Sequence, residues 1–302
     1  MAVRVRSPAT SANLGAGFDV FGMALEEPFD TMELSEDDGV SLGIEGFEVP
    51  QEVEKNCAGV VALSIVRDFG LRGVRIKLDK GIRPASGMGS SAASAAGVAF
   101  GLSELFGLNL GRQALIRYAA LGERVSSGAW VHYDNVTPCI LGGFNIFCSL
   151  EPLRVLSISP PENLGIVIAM PDISKGSTEI SRAAVPRQVP IVDAVRNVAN
   201  ASSLVAGFCR GDLRMIKDGM NDSIAEPARA RAGLLRQYEA FKELGKRMDA
   251  GIAASGAGPS MIAIVEKERR EEVGLEMRGI FEESGVGCRI FITAPGGGAR
   301  LG

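Results

Sequence analysis

Hydrophobic and polar positions change period often along the chain, and the changes mark out its elements. Val3 to Arg6 alternates with period two, as a strand does. From Ser7 to Asp19 the side chains turn small, a composition that reads as a loop rather than as core. Residues 29–49 resume strand-like alternation, broken by Asp37-Asp38-Gly39, which reads as a hairpin turn. Apolar residues at Val60, Val61, Leu63 and Val66 predict a helix from Asn56 to Phe69. Val74 to Leu78 alternates cleanly, the mark of an antiparallel strand with one face in water.

The glycine-rich stretch Pro84-Ala85-Ser86-Gly87-Met88-Gly89-Ser90-Ser91 then opens a helix of small residues, Ala92 to Phe106. A second helix, Gln113 to Ser127, sets Leu115, Ala119 and Glu123 on one line at spacing four, so a carboxylate stands at the edge of an apolar stripe and calls for a partner. Gly142-Gly143 leads into an apolar strand. The pattern restarts around Glu151-Pro152-Leu153, which divides the chain into units of residues 1–153 and 154–302. The second unit reads strand (166–170), helix-rich middle (191–248), strand (250–254), loop (255–260), strand (261–265), helix (267–284), strand (288–293). Strands and helices interleaved this way predict an α+β layer sandwich. The chain has no internal repeats.

Composition narrows the function classes. At 302 residues the chain is long enough for two domains and needs no disulfide or metal to hold a core. Hydrophobic residues make up 46%, and 32 basic against 36 acidic residues leave a net charge of -4, which argues against a disordered chain and against nucleic-acid or membrane-surface partners. Five cysteines with no C-x-x-C spacing suggest neither a zinc site nor a disulfide framework; buried thiols in a reducing cytoplasm are expected. With no long apolar run and no leader-like start, the expected protein is soluble, cytoplasmic and unprocessed. A single histidine, His132, removes multi-histidine metal centres, and Ser-His-Asp hydrolysis unless His132 itself serves. The 38 glycines are clustered, pointing to loops that approach a ligand closely.

Gly87-Met88-Gly89-Ser90-Ser91-Ala92 formally fits the dinucleotide pattern G-x-G-x-x-G/A. A Rossmann strand, however, is buried on both faces and runs straight into the first glycine, whereas here an alternating strand ends near Leu78 and a long connection intervenes. A phosphate cradle fits better, with backbone N–H groups at a helix N-terminus and the hydroxyls of Ser90 and Ser91 turned to phosphate or Mg2+. No Walker motif occurs. Taken alone, this stretch is equally a plain loop before a core helix.

Two further loops accompany it: Pro8-Ala9-Thr10-Ser11-Ala12-Asn13-Leu14-Gly15-Ala16-Gly17-Phe18-Asp19 and Gly256-Ala257-Gly258-Pro259-Ser260. In this order the three resemble the motifs of the GHMP kinases, and the first is similar to the opening motif of homoserine kinases within that family. The resemblance extends through His132-Tyr133-Asp134-Asn135-Val136, Glu226-Pro227-Ala228-Arg229 and Gly298-Ala299-Arg300, so it spans essentially the whole chain. The chain departs from the family pattern at Arg83 for Pro, Ala85 for the first Gly of the nucleotide loop, Met88 for Leu and Ala257 for Ser.

The resemblance implies the two-domain GHMP fold, a ribosomal-protein-like N-terminal domain and a ferredoxin-like C-terminal one, with ATP and Mg2+ between them. It implies that Ser91 and Glu123 hold Mg2+, that the backbone of Arg83-Pro84-Ala85-Ser86-Gly87-Met88-Gly89-Ser90-Ser91-Ala92-Ala93-Ser94 wraps the ATP phosphates, and that Asn56 lies near the adenine. It further implies L-homoserine as acceptor on the route to threonine: Asp19 for its ammonium, Arg182 and Arg229 for its carboxylate, Asn13, His132 and Asn135 for its hydroxyl end, and Gly256 in the same subsite. Homodimers are common in the family. An ammonium wants a carboxylate and a carboxylate wants a guanidinium fork, so the residue types match an amino acid.

Asn135 stands where some family members place an aspartate, and an amide cannot accept the hydroxyl proton. In-line transfer without a dedicated general base is therefore expected, with Asn135, Ser91 and Glu123 as the catalytic set. Asp134 is the one carboxylate whose placement could change that. Other acceptors remain open at this point, threonine, shikimate or a mevalonate-type alcohol, as does a non-catalytic sensor. Shikimate and mevalonate lack an amine for Asp19.

Overall fold

The computed structural model describes residues 1–127, 131–173 and 178–302. The first half builds a seven-stranded sheet from β1 (Ala2–Ala12), β2 (Phe21–Glu36), β3 (Gly39–Gly46), β4 (Gly73–Lys80), β5 (Phe144–Leu150) and β6 (Leu153–Ile158), closed by the C-terminal β11 (Arg300–Leu301). The order is β11-β1-β2-β4-β3, and β5 pairs with the free stretch of β2 and with β6. Four helices cover it: α1 (Cys57–Asp68), α2 (Ser90–Leu105), α3 (Arg112–Ser127) and α4 (Tyr133–Leu141). The second half places β7 (Leu164–Pro171), β8 (Gly251–Ala254), β9 (Met261–Glu266) and β10 (Cys288–Thr293) in an antiparallel sheet ordered β10-β7-β9-β8. Its helices are α5 (Thr178–Ala183), α6 (Ile191–Arg210), α7 (Leu213–Gly219), α8 (Ala225–Arg231), α9 (Tyr238–Arg247) and α10 (Arg270–Glu283).

The small residues at Ser7 to Ala12 are strand, not loop, and every one of them is buried. Their size serves close packing against α2, itself a helix of Ala, Gly and Ser. A Cβ added at Gly97 of α2 would lie 3.0 Å from the Ser7 Cβ and 2.3 Å from the Met32 Cε. The loop begins only at Asn13.

Asp37-Asp38 is not a hairpin turn either. β4 lies between β2 and β3, antiparallel to the first and parallel to the second. The connection therefore crosses two strand spacings, roughly 10 Å, which an extended Asp37-Asp38 can bridge. Ion pairs Asp37–Arg75 and Asp38–Arg72 tie it down over the strand it passes. As expected, β4 keeps one wet face, with Val74, Ile76, Leu78 and Lys80 turned inward.

The β5–β6 hairpin keeps residues 153–158 in the first sheet, so the change of sheet falls after Ile158 rather than at residue 153. Every residue of β7 is buried because both faces of its sheet are covered. Ile166 and Ile168 join the main core with Leu204, Phe208 and Ile216 of α6 and α7. Val167 and Ala169 face the other way, toward Phe241 and Leu244 of α9 and Met277 and Phe281 of α10. Of the five cysteines only Cys139 is buried, and Cys148 and Cys209 are exposed, contrary to the expectation of buried thiols. Strand-edge and helix-end positions left the apolar pattern there. Among the described residues, no helix is long and apolar enough to cross a membrane.

Under the start of α2 lies a buried ion pair. Lys80 Nζ donates to the Asp30 carboxylate, to the Ser90 carbonyl (2.6 Å) and to Ser94 Oγ (2.9 Å), while Asp30 Oδ1 accepts the Ile82 N–H (3.1 Å). Removing one partner would leave the other charge stranded. Asp30→Asn is expected to lower unfolding stability by about 3 kcal/mol or more in urea titration, while Lys55→Ala, which removes the exposed Lys55–Glu52 pair, changes it little.

Candidate active site

The three glycine-rich segments meet in space. The hydroxyl of Ser255, just past the end of β8, donates to the Gly87 carbonyl (2.9 Å) and accepts from the Ser11 hydroxyl (3.0 Å). The Gly256 N–H donates to the Ala12 carbonyl (3.1 Å), the Ser260 N–H to the Ser86 carbonyl (3.2 Å), and the Thr10 N–H to the Met88 carbonyl (3.1 Å). Asn13 Nδ2 reaches the Gly256 carbonyl (2.7 Å), and its Oδ1 accepts the Asp19 N–H (3.0 Å). The loops approach so closely that a Cβ at Gly87, where φ is +88°, would sit 2.3 Å from the Ser255 carbonyl oxygen.

Together they wall a cavity of about 400 Å³. Of the residues expected there, Asn13, Asp19, Asn56, Pro84, Ala85, Ser86, Gly87, Gly89, Ser90, Ser91 and Ser94 line it, as do Glu123, His132, Asn135, Arg182, Arg229 and Gly256. The side chains of Met88, Ala92 and Ala93 are buried in the core behind the loop. Arg83 turns away to bond Asp172 (3.0 Å) at the end of β7. Ala85 adopts the left-handed backbone, φ +56°, that a glycine would take without strain.

The first turn of α2 opens on the cavity. Its leading N–H groups have no partner within the helix, and no side chain caps them, so they are available to an anion. The Ser90 hydroxyl is not turned to the ligand as expected: it donates back to the Ile82 carbonyl (2.9 Å). The Ser91 hydroxyl bonds the buried Glu123 carboxylate, whose second oxygen meets His132 Nδ1 at 3.2 Å. Glu123 thus finds the partner that its place on the apolar stripe required.

A hydroxyl and one carboxylate, both facing the cavity, are hard oxygen donors of the kind Mg2+ takes when phosphate and water complete its shell. Among the described residues no cluster of three acidic, histidine or cysteine side chains occurs, so a cage built wholly of protein ligands is not on offer. The residues fit Mg2+ delivered with a nucleotide.

At the acceptor side, Arg182 and Asp19 form a two-bonded ion pair, 2.8 and 3.0 Å. Arg229 on α8 is buried, and among the described residues its donors reach backbone carbonyls alone, of Ser181 (3.1 Å) and Gly256 (3.3 Å). Burial pulls its pKa down, opposed by Glu226 one turn earlier. Phe18 offers its ring to both guanidinium groups, at 5.7 Å from Arg182 and 5.3 Å from Arg229.

Asn135 accepts from Thr10 Oγ1 (2.9 Å) and turns its amide nitrogen toward Asp134 (3.4 Å). Asp134 does reach the cavity wall. Burial pushes its pKa up to about 6, against His132 and with help from Asp19 and Glu123. For His132, burial acts downward but the Glu123 bond and the Asp134 charge outweigh it, and the imidazole is held above its ordinary value.

Sequence reasoning missed Lys80, Thr10 and Phe18. Lys80 carried a signal, since it falls on the apolar face of the alternation Val74, Ile76, Leu78, where a charge has to be paired. Thr10 and Phe18 carried none beyond their place in the first motif.

Family comparison now decides the class. The model for the GHMP kinases N terminal domain matches residues 56–143 and that for the GHMP kinases C terminal matches residues 204–283. The chain belongs to the GHMP kinase family. The homoserine kinase of Methanococcus maripaludis is 42% identical, over 99% of this chain and 98% of that protein. That of Pyrococcus abyssi is 40% identical over 99% of each. The crystal structure of homoserine kinase from Cytophaga hutchinsonii superposes with a TM-score of 0.92 at 31% identity, covering 99% of this chain and 97% of that one.

Within this GHMP kinase, Ala85 holds a glycine's conformation at a cost of about 1–2 kcal/mol. Ala85→Gly is expected to gain about 0.5–1 kcal/mol of stability once glycine's greater unfolded-state entropy is deducted, read by thermal melting.

Proposed function

We propose that the chain is a homoserine kinase, transferring the γ-phosphoryl group of ATP to the side-chain hydroxyl of L-homoserine to give O-phospho-L-homoserine and ADP. The observation that carries this reading is Arg229. Its guanidinium is buried, and among the described residues no carboxylate stands within ion-pair distance. A buried guanidinium bonded to backbone carbonyls, with its compensating carboxylates beyond ion-pair distance, is poorly satisfied until a ligand carboxylate meets it. Beside it, Asp19 and Arg182 supply one more charge of each sign. An amino acid's carboxylate satisfies the guanidinium groups while its ammonium takes Asp19. The relatives named above support the same acceptor.

Chemistry follows from position. The N-terminal turn of α2 and the loop before it hold the phosphates by backbone N–H groups and dipole. Ser91 and Glu123 would hold Mg2+, which when bound would neutralise charge on the transferring group. Asn135, locked by Thr10 and backed by Asp134, orients the acceptor hydroxyl in line with the γ-phosphorus, and His132 closes the same wall. Asn56, with Val49 and Pro50, forms the wall that takes the adenine. No residue is assigned as general base; Asp134 polarises Asn135, and the proton leaves late to phosphate or water.

ADP release with Mg-ATP is expected with L-homoserine and not with shikimate or mevalonate. Turnover on one of those instead would overturn the acceptor assignment. Arg229→Ala is expected to raise KM for homoserine on the order of 100-fold, as loss of one side of a buried charge pair does. Asp134→Asn should lower kcat by less than about tenfold with both substrates still bound; a loss of 10²–10⁴-fold, the worth of a general base, would place the base there.

A further inference from the structure

One buried acid behind the site has no role in the transfer just described. Glu226, in the first turn of α8, is buried; its Oε1 accepts the Ala254 N–H at 2.8 Å, its Oε2 has no partner within 3.5 Å among the described residues, and the Tyr238 hydroxyl acts on the carboxylate from α9. Ala254 precedes Ser255 and Gly256, the residues that knit the loops together. One turn along α8, Arg229 donates to the Gly256 carbonyl. The same helix therefore grips both ends of the Ser255 segment, one grip being acidic and the other basic.

The charges facing Glu226 come from four directions. Asp222, just before α8, caps the helix by accepting the N–H groups of Ile224, Ala225 and Glu226. Arg229 lies on α8 itself. Tyr238 and Lys242 face it from α9, and the Lys242 ammonium is spent on the carbonyls of Ile252 (2.7 Å) and Met220 (3.3 Å). The backbone N–H of Ala254 faces it from β8. Among the protein's own carboxylates, Glu226 acts most strongly on Arg229.

We propose that Glu226 is a charge-compensating positioning residue that balances Arg229 while the acceptor subsite is empty and takes up a proton, on its Oε2, when the acceptor's carboxylate arrives. The inference rests on the reading of Arg229 as the carboxylate ligand. Two carboxylates cannot both stay ionised at low cost around one buried guanidinium. The incoming one is fixed by the substrate, so the resident one gives way: Glu226–COO⁻ plus a proton from buffer becomes Glu226–COOH, and its other oxygen keeps the Ala254 bond. Burial, with Asp222 adding and Lys242, the Ala254 N–H and the Tyr238 hydroxyl opposing, already lifts the pKa of Glu226 to about 7. The sign is then determined. A group whose pKa rises on binding makes binding release no proton but absorb one, and affinity weakens as pH climbs above the free-state value.

The test is calorimetric titration of L-homoserine into the full-length enzyme with Mg2+ and a non-hydrolysable ATP analogue, repeated in buffers of different ionisation enthalpy. Uptake of about half a proton or more per homoserine is expected at pH 7.5, falling toward zero at pH 6, where Glu226 is already protonated. Glu226→Gln, which keeps the acceptor for Ala254 and loses the charge, should abolish the uptake and flatten the pH dependence of Kd between pH 7 and 8.5. Binding without proton uptake at pH 7.5, or uptake that survives in the Gln variant, overturns the role of Glu226 and leaves the kinase reading intact. Absence of homoserine binding overturns both. The wild-type pH series decides the matter even where the variant fails to fold.

Discussion

Everything at the cavity depends on one junction, where the hydroxyl of Ser255 bridges Ser11 of β1 and Gly87 of the loop before α2. Three segments far apart in sequence are held there to within hydrogen-bond distance, and three of the contacts among them are backbone to backbone. Side chains at Gly87 or Gly89 would pry the junction open, the latter by meeting Thr10 Oγ1 at 2.0 Å. The glycines thus serve contact between loops as much as access for phosphate. Because the second sheet carries Ser255 and the first carries Ser11, fixing the junction also fixes how the two sheets face each other, and the shared core of Ile166, Ile168, Leu204 and Phe208 packs to suit.

Periodicity made most elements legible. The helices over 56–69, 92–106 and 113–127 and the strands of the second sheet lie within a few residues of their expected bounds. Two readings failed for reasons that local pattern cannot see. Ser7 to Ala12 looked like loop because its residues are small, yet they are small because a helix of equally small residues lies against them. Asp37-Asp38 looked like a hairpin because the turn is short, but a later strand enters the gap, and pairing order is a tertiary fact. α4 left no helical pattern because Pro138 interrupts its sequence while its backbone continues around it.

The site was legible by residue type more than by mechanism. Glu123 at the edge of an apolar stripe demanded a partner and meets Ser91 and His132. Lys80 could have been singled out by the same logic, as a charge on an inward-facing strand position. What no spacing revealed is direction: Ser90 and Ser91 are neighbours, yet one hydroxyl turns back to the Ile82 carbonyl and the other faces Glu123. Nor could sequence place Asp134, because a helix one residue out of phase would have carried it away from the wall that it lines.

The two-bonded Asp19–Arg182 pair has a consequence for discrimination among small molecules. On the proposed binding mode, an entering molecule trades against this contact. A simple amine that took Asp19 would forfeit both bonds to Arg182, and a simple acid that took Arg182 would forfeit the same bonds to Asp19. A zwitterion replaces both halves of the pair at once. The ion pair would then act as a lock with two pins, disfavouring metabolites that carry only one of the two groups.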